Sequence, residues 1–270
     1  MCLITFALRV NPNYPLIVAA NRDEFFERPT APAQYWEDAS SVFAGRDLSA
    51  GGTWLGINQQ GLFTALTNYR EVIETETTPQ YKSRGDLTSG FLKSQATPDE
   101  SALIDSYFAQ LRGRDQQYNG YNLLAGNPQQ LGYYSNRGVS FHALDDGIYG
   151  LSNGLLDTPW PKTVSCRNAM QQAIGSSNQA IIIADLFNAL ADTEPAPEHL
   201  LPDTGISKEW ESLLSSRFII GETYGTRTST VVLFQKNGDI VFCEKNFGPK
   251  GLLLNQQQVI VEVEASNSII

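Results

Sequence analysis

Two short apolar stretches open the chain. Residues 2–9 (CLITFALR) and 15–20 (PLIVAA) are rich in apolar and β-branched side chains, and Asn11-Pro12-Asn13 between them is a turn cluster. The pattern predicts an antiparallel hairpin. In such a pair the first residue of one strand faces the last of the other. Cys2 is therefore expected beside Asn21-Arg22-Asp23-Glu24. A second hairpin is predicted from residues 53–58 and 62–68 around Gln59-Gln60-Gly61, with the polar exit Thr67-Asn68-Tyr69-Arg70. Between the hairpins, residues 25–52 carry Pro29, Pro32, Gly45, Gly51 and Gly52 and read as irregular; residues 71–84 read as a polar loop.

The period then changes. Gly85-Asp86-Leu87 starts a short helix to about Lys93. Thr97-Pro98-Asp99-Glu100 has the form of a capping box, and Leu103, Tyr107 and Leu111 follow at helical spacing, with Ile104 and Phe108 widening the stripe. Strands are predicted at 121–126, 131–135, 138–143 and 147–152, the last closed by Asn153-Gly154. Residues 161–174 and 178–191 are helical by pattern, the second with Ile182, Leu186, Phe187 and Leu190 on one face. Pro195, Pro197 and Pro202 interrupt the pattern before a short helix from Ser207 to about Ser215. Strands return at 217–221, 228–236, 239–245 and 258–263, and Asn237-Gly238 marks a hairpin. The order is strands, helices, strands, helices, strands, with hairpin links. That predicts an α+β fold of mainly antiparallel sheet, not βαβ alternation. Two helix pairs and about ten strands suit two packed sheets with a helix layer outside each, a four-layer αββα sandwich formed by residues 1–270 as one domain. A two-layer helix-on-sheet fold is the plainer alternative.

Composition narrows the function classes. Of 270 residues, 41% are hydrophobic and 18% charged, as in an ordinary globular protein. The formal net charge is -10, which argues against a nucleic-acid or anionic-membrane partner. Cys2, Cys166 and Cys243 are an odd, widely spaced set and make no disulfide framework. His142 and His199 are too few and too isolated for a zinc site, so no metal is expected. No apolar run reaches the ~18 residues of a membrane span, and no basic n-region precedes an apolar segment. The cytoplasm is the expected location; the oligomeric state is left open.

Removal of Met1 would place the Cys2 thiol and a free α-amine on one residue, nucleophile and base together. A free cysteine is more often buried and inert. The polar cluster expected beside it favours the functional reading. Arg22 can stabilise a thiolate and Asp23 can orient a protonated amine. If the strand continues, alternation puts Arg22 and Glu24 on one face and Asp23 on the other; a turn would free Asp23. Acyl transfer also needs oxyanion donors. Asn68 and Asn153, each at the end of an apolar run, are candidates, and turn asparagine is the plainer reading of both. Arg227, ahead of an apolar strand, is either a site residue or a surface arginine. Gly51-Gly52-Thr53-Trp54-Leu55-Gly56 lacks the phosphate-loop pattern; its glycines are expected to shape the start of a strand with Trp54 near a pocket, and Arg46-Asp47 near the same region. Glu24, Trp54 and Thr67 are candidate substrate contacts.

Met1-Cys2, Ala20-Asn21-Arg22-Asp23-Glu24, Gly51-Gly52-Thr53-Trp54-Leu55-Gly56, Ala65-Leu66-Thr67-Asn68 and Leu151-Ser152-Asn153-Gly154 together resemble the NRDE-motif family, also known as the transport and Golgi organisation protein 2 family, over nearly the full chain. The resemblance implies the αββα fold of N-terminal-nucleophile hydrolases. It implies Cys2 as nucleophile, Arg22 as its arginine, Asp23 as the acid, Asn68 and Asn153 as oxyanion donors and Arg227 as the later arginine. In the cysteine acylases of that superfamily the arginine and aspartate stand three apart, whereas Arg22 and Asp23 are adjacent. The implied activity is cofactor-free cleavage of a small-molecule amide or related acyl bond. The alternative is a non-catalytic carrier of haem or an acyl lipid, in which Cys2 or a histidine would ligate iron.

Overall fold

The computed structural model describes residues 2–71, 81–94 and 100–264. Strands β1 (Cys2–Leu8) and β2 (Leu16–Phe25) form the expected hairpin, with Cys2 opposite Arg22 and Leu8 opposite Leu16. Side chains on a strand alternate between faces. Even-numbered Ile4, Phe6, Leu8, Leu16, Val18 and Ala20 share one side, and odd-numbered Leu3, Ala7, Ile17 and Ala19 share the other. Both sides are apolar, so both must be covered, and this requires more than two layers.

The second sheet is a seven-stranded antiparallel array in chain order: β3 (Thr30–Trp36), β4 (Ala39–Asp47), β5 (Leu55–Asn58), β6 (Phe63–Asn68), β7 (Tyr121–Gly126), β8 (Leu131–Ser135) and β9 (Val139–Ala143). Helices α1 (Gly85–Leu92) and α2 (Glu100–Leu111) fall between β6 and β7. The first sheet is completed by β10 (Gly147–Leu151), then, after helices α3 (Pro161–Ala173), α4 (Gln179–Leu190) and α5 (Lys208–Leu213), by β11 (Tyr224–Phe234), β12 (Ile240–Phe247) and β13 (Leu253–Val261). Its order is β10-β1-β2-β11-β12-β13.

Three buried clusters define the layers. Ile4, Phe6, Leu16 and Val18 meet Phe43, Ile57, Phe63 and Leu124 between the sheets. Leu3, Ile17 and Ala19 pack against Cys166, Met170, Leu186 and Leu190 of α3 and α4. Phe91, Ile104, Phe108 and Leu111 of α1 and α2 cover Leu66, Leu123 and Ala125. The result is αββα. Local signals agree with it. Asn178 Oδ1 accepts from the Ala180 and Ile181 amides at the start of α4, Ser207 caps α5, and Pro161 stands in the first turn of α3. Among the described residues no helix is long and apolar enough to cross a membrane.

The structure corrects several boundaries. Residues 25–52 are not irregular: they hold β3 and β4. Pro32 lies where the β3–β4 register shifts, on an edge strand that tolerates a missing amide donor. Residues 217–221 form no strand, because Phe218 N donates to the Asp192 carbonyl and Ile219 N to Thr226 Oγ1 instead of to a ladder. β2 continues through Phe25, β11 begins at Tyr224 and β13 at Leu253. The capping box assigned to Thr97 and residues 72–80 of the expected polar loop lie outside the described residues.

Candidate functional site

Strand parity divides Asn21-Arg22-Asp23-Glu24. Because β2 runs on to Phe25, alternation holds across the motif. Arg22 and Glu24 share parity with the inner core, as does Cys2, which is paired with Arg22. Asn21 and Asp23 share parity with the face that meets the helices. Asn21 Nδ2 donates to the carbonyls of Leu190 (2.9 Å) and Arg217 (2.7 Å), while its Oδ1 accepts from Ser229 Oγ (2.6 Å). Asp23 Oδ1 accepts from Thr226 Oγ1 at 2.7 Å.

A cavity of about 330 Å³ opens where the ends of the sheets meet α1. Six of the sequence-predicted residues line it: Cys2, Arg22, Asp23, Glu24, Trp54 and Asn68. The Arg22 guanidinium lies over the Trp54 ring at 4.2 Å, donates to Thr30 Oγ1 at 3.3 Å and stands 3.8 Å from Glu24 Oε2. Gly45 makes room for Trp54, since a Cβ there would lie 2.5 Å from the indole ring. Asp23 flanks the start of β1: with Cys2 opposite Arg22, it is one step further along the ladder, beside the amide end of Cys2.

Burial dominates the electrostatics. It pushes the Cys2 thiol above its ordinary value; Asp23 and Glu24 add to the rise, and Arg22 opposes it. Burial likewise raises the Asp23 carboxyl, against Lys162, Thr226 and Arg22. Lys162, buried with its Nζ donating to the Leu214 carbonyl at 2.7 Å, is lowered by burial to about 8. A thiol held up in this way is not a preformed thiolate.

Asn153, Thr67 and Arg227 stand outside the cavity lining. Asn153 is fully buried behind it: Nδ2 donates to the Asn68 carbonyl at 2.8 Å, and its own carbonyl accepts from Arg70 N at 2.7 Å. It braces the end of β6, and the neighbouring Ser152 Oγ donates to the Cys2 carbonyl at 3.1 Å. Thr67 is also buried, and its Oγ1 accepts from Asn122 Nδ2 at 3.0 Å. Arg227 is the extra residue of a bulge between Thr226 and Thr228. Its Nη1 donates to the carbonyls of Phe25 (3.0 Å) and Arg28 (2.5 Å), so it fixes the turn after β2. Asp47 lines the cavity as expected, but Arg46 turns away to Asp38 and the Trp36 ring. His142 and His199 are exposed and do not line the cavity; of the candidate iron ligands, Cys2 alone lines it.

Sequence reasoning missed Arg28 and the wall from Tyr81 to Gly85. Arg28 Nε and Nη2 both donate to Asp47 Oδ2, at 2.8 and 2.6 Å. The signal for the second wall was Gly52. A Cβ there would lie 2.5 Å from the Gly85 carbonyl carbon and oxygen, so the glycine lets the start of α1 close against Thr53 and Trp54.

The layer order is αββα, with Cys2 and Arg22 paired at one end of the first sheet. The chain belongs to the Transport and Golgi organisation 2 family, whose family model matches residues 1–249. The Transport and Golgi organization 2 homolog of Mus musculus is 34% identical over 267 residues, covering 91% of this chain and 93% of that protein. The Homo sapiens homolog is 34% identical over 273 residues, covering 93% and 95%. Among solved structures, penicillin V acylase from Agrobacterium tumefaciens is similar with a TM-score of 0.48 and 12% identity, over 89% of this chain and 82% of that one.

Proposed function

We propose that the chain is a cysteine N-terminal-nucleophile hydrolase acting in the cytoplasm on a small-molecule amide or related acyl bond. The observation that carries this reading is the pairing of Cys2 with Arg22 at the mouth of a 330 Å³ cavity that Asn68 also lines. That volume is at the small end of ligand pockets, which run from about 300 to 1,000 Å³. The charged lining favours a polar substrate over a haem or a lipid chain.

In the proposed reaction, loss of Met1 frees the α-amine of Cys2. The amine takes the thiol proton as sulfur attacks the substrate carbonyl. The Asn68 amide donates to the oxyanion, with Asn153 holding the Asn68 backbone in place. The ammonium returns its proton to the leaving nitrogen, and the C–N bond breaks to leave a thioester on Cys2. Water then attacks the thioester, the amine takes its proton, and sulfur leaves with the carboxylic acid as product. Arg22 offsets negative charge on sulfur, and Asp23 offsets positive charge on the amine.

Intact mass tests the first requirement by reporting whether Met1 is gone. Iodoacetamide should then label Cys2 in the Met1-free protein, while Cys166 and Cys243, both buried, stay unmodified in the folded state. Simple N-acyl amides should be hydrolysed by this form and not by Cys2→Ala. A Met1-free protein whose Cys2 resists alkylation and which cleaves no acyl amide would refute the reading.

A further inference from the structure

The cavity has two walls of different character. One is the strand end that carries Cys2 and Arg22. The other is the segment from Tyr81 to Gly85, which runs into the first residue of α1. The chain as a whole is acidic, with 19 Lys and Arg among 270 residues. Yet Arg22, Arg28, Lys82 and Arg84 are four of the sixteen residues lining this one cavity. Three carboxylates line it too, and each has a partner: Asp47 takes Arg28, Asp23 takes Thr226, and Glu24 accepts from the Phe25 amide and approaches Arg22.

Among the lining residues the second wall carries two cations, Lys82 and Arg84, and no carboxylate. Among the described residues neither Lys82 nor Arg84 forms an ion pair. Arg84 Nη1 donates to the Gly120 carbonyl at 3.0 Å, which fixes the guanidinium while leaving further N–H donors for a ligand. Burial lowers the Arg84 pKa, and the neighbouring Cys2 and Glu24 charges oppose that fall, which agrees with its place across the cavity from the thiol. The close approach of Gly52 to Gly85 holds the wall where it stands. An arginine with free donors in a partly dehydrated cavity is suited to a carboxylate or a phosphate.

We propose that the cavity selects substrates that carry an anionic group, carboxylate or phosphate, seated on Arg84 and Lys82 while the scissile carbonyl lies at Cys2. The position of the carbonyl rests on the hydrolase reading above; the anion site does not.

Binding is read without turnover in the Cys2→Ala protein by titration calorimetry. The probes are hexanoylglycine, its neutral counterpart hexanoylglycinamide, and hexyl phosphate. Hexanoylglycine should bind at least about tenfold more tightly than hexanoylglycinamide, and hexyl phosphate shows whether carboxylate or phosphate is preferred. Arg84→Gln should abolish the preference and Arg84→Lys should keep part of it. Lys82→Gln, at an exposed position, should reduce it roughly threefold. Equal affinity for the charged and neutral amides, no binding of either anion, or a preference untouched by Arg84→Gln and Lys82→Gln would overturn the proposal. Selective binding by a Met1-free, Cys2-bearing protein that hydrolyses nothing sinks the hydrolase reading alone. Hydrolysis of the neutral amide as fast as the charged one sinks the anion site alone.

Discussion

Asn21 and Asp23 on one side of β2, and Arg22 and Glu24 on the other, are consecutive in the chain and live in different surroundings. The Asn21 amide is gripped by two backbone carbonyls and a serine hydroxyl on the side that meets the helix layer. Arg22 has an aromatic face, one long hydrogen bond and a carboxylate at 3.8 Å, and it faces a cavity. The first arrangement has the geometry of a structural joint. The second leaves donors uncommitted, as a binding site must. Four adjacent polar residues are thus two interleaved pairs, separated only by the two-residue period of the strand. Asp23 spans both settings, since it is bonded to Thr226 yet borders the cavity beside Cys2.

The widest separation should come from Asn21→Leu. It leaves the Leu190 and Arg217 carbonyls and Ser229 Oγ without their partner, and each buried unsatisfied group costs about 1–3 kcal/mol. A loss of about 3–5 kcal/mol is expected, read by urea denaturation, with little change in Cys2 alkylation for molecules still folded. Arg22→Gln should behave the other way, losing about 2 kcal/mol, less than Asn21→Leu, while changing thiol reactivity. Equal stability losses would end the distinction between the two faces.

Gly52→Ala is the next largest. The added Cβ meets Gly85 backbone, which cannot swing aside, and overpacking of this kind costs about 1–3 kcal/mol. The Tyr81–Gly85 wall should retreat, weakening any ligand that depends on it. Gly51→Ala has open space around it and costs only the strain of a φ of +79°, about 1 kcal/mol, with no effect on binding. The two neighbouring glycines can therefore be told apart by calorimetry.

The hairpin that places Cys2 beside Arg22 was readable because two apolar runs and one turn specify it locally. The layer order was readable from the alternation of strand and helix periods. The Tyr81–Gly85 wall was not: it meets Cys2 through tertiary packing, and Lys82 and Arg84 carry no periodic pattern of their own. Asn153 was placed at the right end of the fold, but no sequence pattern says that its amide would be spent on the Asn68 carbonyl. Arg227 was misplaced by a bulge, because one extra residue in β11 sends the side chain to the Phe25–Arg28 turn. Residues 25–52 hid two strands, since their proline and polar positions are those of a sheet edge and only Ala33, Trp36, the stretch from Val42 to Gly45 and Gly52 are buried.

The smallest effects give the finest test of how the cavity-facing pair and Asp23 act on the thiol. Cys2 alkylation should be followed against pH in one N-terminal form throughout. With the thiol raised by burial, the rate should still be climbing above the ordinary cysteine range. Arg22 lowers the thiol pKa, so Arg22→Gln should move the midpoint further up. A rise of about one unit would cut the thiolate fraction roughly tenfold at any pH well below the midpoint. Asp23 raises it, so Asp23→Asn, which can still accept from Thr226, should move the midpoint down and speed alkylation at neutral pH. Glu24→Gln should act in the same direction as Asp23→Asn but more weakly, because its carboxylate makes a smaller contribution at the thiol. An upward shift in Glu24→Gln would mean that Glu24 acts mainly by holding Arg22 over Trp54, and the loose pairing at 3.8 Å would then be a positioning contact rather than a competing charge.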